Sequence, residues 1–141
     1  MKKLNIIIVI LFAFVLTGCS TPKNIEVSKD FPTEVKEGDE FDITVTIKNT
    51  KDKKQTFKGF DIGTEYIDGI MILNTKPKAN EEDTLFGLHS FYMNEEIEAN
   101  SEIQVKIKAK AVKTGDFSGD FDVCIKSDSP CLYGSIRTIV K

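Results

Sequence analysis

The chain has 141 residues, of which 40% are hydrophobic and 29% charged, with a formal net charge of −3. That length suits one ordinary domain around one core, and the acidic balance argues against a nucleic-acid or anionic-lipid surface. One histidine, three cysteines and no tryptophan leave little material for histidine-based catalysis or a zinc site.

The N-terminus opens with Lys2 and Lys3, then an apolar run from Ile6 to Leu16. A positive n-region before a short greasy stretch is the pattern of a secretory signal. Crossing a hydrocarbon core takes roughly 20 apolar residues in a helix, so the run is too short for a permanent span. Leu16-Thr17-Gly18-Cys19 resembles the lipobox at which bacterial prolipoproteins are lipidated and cut. The resemblance implies a signal peptide over residues 1–18, a diacylglyceryl thioether on Cys19 as the mature N-terminus, and palmitate-class acyl chains holding the protein at a membrane. Each buried methylene contributes roughly 0.8 kcal/mol, so two or three chains anchor stably. An ordinary secretory signal with an incidental cysteine is the alternative. Ser20 in place of Asp after Cys19 leaves an outer-membrane destination open in a Gram-negative host. Removing Lys2 and Lys3 from 19 Lys plus Arg leaves 17 against 22 acidic residues, a net charge of −5.

Residues 19–24 read as the lipidated cysteine and a brief polar tether, and 25–141 as one domain. Its first strand is expected at Ile25 to Ser28. Phe41, Ile43, Val45 and Ile47 alternate with Asp42, Thr44, Thr46 and Lys48, the period-two pattern of a strand with one dry face. Thr56 to Tyr66 and Gly69 to Leu73 predict two further strands, the first broken by Gly59 and Gly63. Pro77 to Asp83 reads as a polar linker, and Leu85 to Met93 as either a short strand or a loop crossing between sheets. Ile103, Val105, Ile107, Ala109 and Ala111 against Gln104, Lys106, Lys108 and Lys110 give the cleanest alternation in the chain. Phe121, Val123 and Ile125 are expected inward, with Asp122 and Cys124 outward, and Ile136, Thr138 and Val140 form the last strand. About seven strands separated by Gly, Pro, Asn and Asp turns predict an all-β sandwich, most economically an immunoglobulin-like Greek key.

With Cys19 used by lipid, Cys124 and Cys131 remain as an even pair in an oxidising compartment, which reads as a disulfide across a hairpin turned by residues 126–130. Closing so short a loop contributes about 2–3 kcal/mol on the chain-entropy model. Redox chemistry lacks a CxxC, and no cofactor or metal is expected. The lone His89 has no evident orienting partner in sequence, so no catalytic set is expected and the domain reads as non-enzymatic. Carboxylate clusters such as Glu81-Glu82-Asp83 read as turn-solvating acids, with calcium as the alternative.

Large residues crowd the middle third. They either fill the core or, over Leu85 to Met93, form an exposed aromatic loop or edge strand that holds a partner; Phe86, His89, Phe91 and Tyr92 are the candidate contacts.

Val35-Lys36-Glu37-Gly38-Asp39-Glu40-Phe41-Asp42-Ile43 through Asn49-Thr50, together with the turns at Ile97 to Ile103 and Lys113 to Phe117, resembles the CARDB kind of cell-surface immunoglobulin-like domain. Such domains usually occur in arrays or beside enzymes, and here a single domain is expected with no catalytic neighbour. The resemblance implies a binding or scaffolding surface in the cell envelope. A protein partner is expected, with a small-molecule or glycan ligand as the rival and a cryptic hydrolase behind both.

Overall fold

The computed structural model describes residues 22–127 and 130–141. The lipobox Leu16, Thr17, Gly18 and Cys19, and Ser20 and Thr21 of the expected tether, lie outside the described residues.

Among the described residues, eleven strands form two sheets. They are β1 (Ile25–Asp30), β2 (Glu34–Val35), β3 (Glu40–Asn49), β4 (Gln55–Gly63), β5 (Ile70–Lys76), β6 (Glu81–Leu85), β7 (Leu88–Ile97), β8 (Glu102–Ala111), β9 (Gly115–Ile125), β10 (Cys131–Leu132) and β11 (Ser135–Val140). A one-turn helix, α1 (Thr64–Ile67), joins β4 to β5. The small sheet runs β1-β3-β8-β5, and the large one β2-β11-β9-β4-β7-β6, with β10 added to β9. All pairings are antiparallel except β2 with β11.

The alternation in β3 and β8 determines how the small sheet faces the core. Ile43 pairs with Ile107, Val45 with Val105 and Ile47 with Ile103; all but the partly buried Ile103 are fully buried. Because side chains on a strand alternate faces, one shift of register would turn this whole set to water. From the large sheet Phe57, Phe60, Ile62, Phe91, Met93, Ile97, Phe121, Val123 and Ile125 meet them, and Phe60 stacks between Phe91 at 4.6 Å and Phe121 at 5.6 Å. The expected all-β sandwich is the fold.

Three short strands, β2, β6 and β10, exceed the expected seven or so. Residues 81–83, expected as the end of a linker, belong instead to β6, which pairs with β7 through Leu85↔Leu88, Asp83↔Ser90 and Glu81↔Tyr92. Tyr66 belongs to α1 rather than to a strand. It is fully buried, its hydroxyl 3.0 Å from Thr138 Oγ1. Since Thr138 Oγ1 gives its proton to the Pro32 carbonyl, the Tyr66 O–H is the donor of the pair. Burial pushes the Tyr66 phenol up to about 12.

Where β3 ends, Asn49 is fully buried and ties several elements together. Its Nδ2 donates to the carbonyls of Lys53, Ile97 and Glu98, and its Oδ1 accepts from Lys51 N–H and Gln55 Nε2. The N-terminal chain arrives at this same pole: Ile25 pairs with Asn49, and Thr50 N–H donates to the Asn24 carbonyl.

Candidate functional site

In the β6–β7 hairpin, β7 runs from the opposite pole back to this one. Ile97 sits beside Gln55 and Asn49, whereas Leu88 at the other end of β7 pairs with Gly63. At about 3.3 Å per residue, the ten residues of β7 put the hairpin tip roughly 30 Å from the pole where the chain enters.

The tip is a two-residue turn. Phe86 and Gly87 both have positive φ, 52° and 78°, as the hairpin twist of a type I′ connection requires. Gly87 suits that geometry, but a phenylalanine there is strained by about 1–2 kcal/mol. The other described non-glycine residues with positive φ are asparagines, Asn24, Asn94 and Asn100, which tolerate it. Phe86 is also 93% exposed and Leu85 58%. Thr64 N–H donates to the Gly87 carbonyl at 2.8 Å, bracing the turn against α1.

Of the four candidate contacts, Phe86 is fully presented and Tyr92 is 38% exposed on the outer face. His89 is half-buried, 4.7 Å ring to ring from Phe91. Phe91 is a correction: at 2% exposure its ring belongs to the core, because it pairs with Phe60 on the inner face of the sheet. The four therefore divide between a tip, two faces and the core, and do not form one patch.

His89 does have orienting partners, both on β6. Its Nδ1 lies 2.7 Å from Thr84 Oγ1 and its Nε2 3.1 Å from Glu82 Oε2. A carboxylate on Nε2–H leaves Nδ1 to accept the threonine proton, which is the connectivity of a hydroxyl–imidazole–carboxylate relay. The signal in sequence is hairpin spacing, which brings residues 82 and 84 opposite 91 and 89, and the acidic run at 81–83 masks it by resembling a linker. Relay catalysis draws its power from water-excluded sites with donors aimed at a developing oxyanion. Here both bonds lie in exposed positions, and the three side chains clamp β6 to β7.

The same His89 and Glu82 stand at the mouth of a groove of about 380 Å³, lined otherwise by Ile67, Met71, Ile72, Phe91 and Val112. This is the open side of the sandwich, where β5 ends the small sheet and β6 ends the large one. Met71 and Val112 are 45% and 41% exposed.

A second groove, of about 220 Å³, lies on the outer face over Gly59, between Tyr92 and the Cys124–Cys131 disulfide, with Asp61 and Ser90 alongside. Gly59 has φ +148°, and a Cβ there would overlap the Phe91 carbonyl oxygen. The register shifts at this point between Phe57 and Gly59. The disulfide joins facing residues with Cα atoms 4.0 Å apart, as expected from sequence. Asp61 and the two sulfurs cluster closely, but sulfurs bonded to each other have no thiolate to offer a metal. Nearby, Asp122 is held above the usual carboxylate range chiefly by burial, with Asp120 and Asp61 adding to it and the Gly134 N–H and Lys29 opposing. Burial lowers Lys29, against Asp122; its Nζ donates to the Phe121 carbonyl at 2.7 Å.

By sequence the chain matches no protein-family model and no curated protein. Solved structures share its fold. The cupredoxin domain of amoB from Nitrosocaldus yellowstonii aligns over 86% of this chain and 89% of its own, at 10% identity and TM-score 0.52. A chain of a type I cohesin–dockerin complex from Clostridium thermocellum aligns over 84% and 99%, at 14% identity and 0.53. A family 123 glycoside hydrolase from Clostridium perfringens aligns over 84% of this chain but 27% of its own, at 12% identity and 0.55. At such identities the likeness is one of fold: this chain is an all-β sandwich similar to cupredoxin and cohesin domains.

Proposed function

We propose that the chain is a lipid-anchored, extracytoplasmic binding module without enzymatic activity, whose partner is a protein met at the tip of the β6–β7 hairpin. One observation carries the partner half: Phe86 is held with positive φ and 93% of its surface in water. Strain and apolar exposure at one residue, whose ring the other described residues leave in water, point to a contact made outside the chain. The anchor half rests on the lipobox-like Leu16-Thr17-Gly18-Cys19, and the Cys124–Cys131 disulfide suits an oxidising compartment. A similar sandwich is part of a cohesin–dockerin complex, so the fold is compatible with protein docking.

Two variants test the two halves. Cys19→Ser is expected to abolish acyl labelling and release the protein from membranes; a variant still labelled and bound refutes the anchor. A photoreactive amino acid in place of Phe86 is expected to cross-link one protein that the same residue in place of Asp39 does not. Equal yields from both positions refute the tip as contact.

The outer-face groove favours a second reading, a glycan or small-molecule site, because Tyr92 offers a ring face beside Asp61 and Ser90. Tyr92→Ala would then abolish glycan binding, while Phe86→Ala would leave it intact.

A further inference from the structure

Among the described residues the large sheet ends at β6, which has β7 on one side and no strand on the other. All five residues, Glu81-Glu82-Asp83-Thr84-Leu85, are exposed. In an antiparallel pair alternate residues turn their N–H and C=O away from the partner strand. At Thr84 that N–H donates to the adjacent Asp83 carboxylate at 2.8 Å, a local substitute for a neighbour. Such an edge is a template for another strand unless something blunts it.

Two features specify what would fit. On the inner side the edge borders the groove lined by Ile67, Met71, Ile72, Phe91 and Val112, with Glu82 and His89, bonded to each other, at its mouth. On the outer side Glu81 and Asp83 share the face of Tyr92 and Ser90, the residues they pair with. An added strand alternates its side chains between these two environments, so one set meets a mainly apolar groove whose one carboxylate, Glu82, is engaged by His89, and the other meets Glu81 and Asp83. Two copies of β6 set against each other would oppose acid to acid, and like charges directly across a pair are destabilising.

Resting on the reading of this hairpin as a partner site, we infer that β6 takes an extended segment of a protein partner in which apolar residues alternate with Lys or Arg. The segment adds as an edge strand by main-chain hydrogen bonds, placing its apolar residues over the groove and its cations against Glu81 and Asp83. Phe86 and Leu85 then form the apolar end of the same contact.

The test uses the full chain in detergent and a fluorescent Lys-Val-Lys-Val-Lys-Val-Lys peptide. Two analogues are methylated on odd or on even backbone nitrogens. Strand addition bonds through one edge of the peptide, so one analogue is expected to weaken by about tenfold or more while the other binds like the parent. Hydrogen exchange is expected to slow at Thr84 in the complex, and the double variant Glu81→Lys, Asp83→Lys is expected to weaken binding about tenfold. Absence of saturable binding, or equal affinity for the parent and both analogues, overturns the proposal. The analogues carry the test without altering the protein's fold. Failure here with specific cross-linking from position 86 would refute strand addition alone, whereas loss of that cross-link refutes the partner reading itself.

Discussion

At the scale of single residues, buried polar groups decide more than their number suggests. Asn49→Ala removes at one stroke the donor to the Lys53, Ile97 and Glu98 carbonyls and the acceptor of Lys51 N–H and Gln55 Nε2, although Glu98 keeps Ser101 N–H and Gln55 keeps the Asn24 carbonyl. Unsatisfied buried groups cost about 1–3 kcal/mol each, so a loss of about 3 kcal/mol in urea unfolding is expected. Tyr66 gives the fold an alkaline limit. Its phenol titrates near 10 when unfolded and at about 12 when folded, so its contribution is complete below pH 10 and disappears as pH rises towards 12. Stability is expected to fall by about 2–3 kcal/mol over that window, and Tyr66→Phe to flatten the fall while costing about 1 kcal/mol at pH 7. Asp122 has the same sign, since its pKa is raised on folding. The ionised carboxylate therefore weakens the fold at neutral pH and ceases to do so as pH drops below its unfolded value. Asp122→Asn keeps the acceptor for Gly134 N–H and is expected to raise the melting temperature at pH 7, with the gain vanishing near pH 3. None of these roles was legible in sequence. Asn49 reads there as a turn residue at the end of a strand and Asp122 as an outward acid, because burial at an end or edge depends on what the rest of the chain brings over it.

At the scale of elements, alternation did most of the work. β3 and β8 carry their hydrophobic set on one face over ten residues each, and their registers follow from it. β6 escaped because an edge strand is kept soluble by charge, so Glu81-Glu82-Asp83 resembles a linker until its pairing with β7 is known. Phe91 was misplaced for a related reason. A strand that begins at Leu88 sends Phe91 and Met93 inward and Tyr92 outward, a parity that depends on where the turn falls. The turn itself yields a prediction: Phe86→Asn or Phe86→Gly relieves the positive φ and is expected to stabilise the protein by about 1 kcal/mol in chemical denaturation while abolishing partner cross-linking. A substitution that stabilises the fold and disables the contact separates the two roles of the residue. The disulfide, in contrast, ties the two-residue β10 to a strand already held by β4 and β11. Replacing Cys124 and Cys131 together by serine is expected to cost no more than about 2–3 kcal/mol and to leave a cooperative transition.

At the scale of the molecule, polarity of placement unites the sequence and the fold. The chain enters at the pole of Asn49, Gln55 and Ile97, and Phe86 stands at the other end of β7. If Cys19 carries lipid, the strained aromatic tip is presented away from the bilayer, and the carboxylates beside it disfavour an anionic membrane surface. The absence of tryptophan allows this to be measured with one probe. Phe86→Trp in the full chain, isolated with its lipid and reconstituted into vesicles containing brominated phospholipid, is expected to float with the vesicles while its emission stays that of water-exposed indole and unquenched. Emission that shifts to the blue and is quenched by bromine would mean that the tip enters the membrane, contradicting a module that holds its partner on the far side.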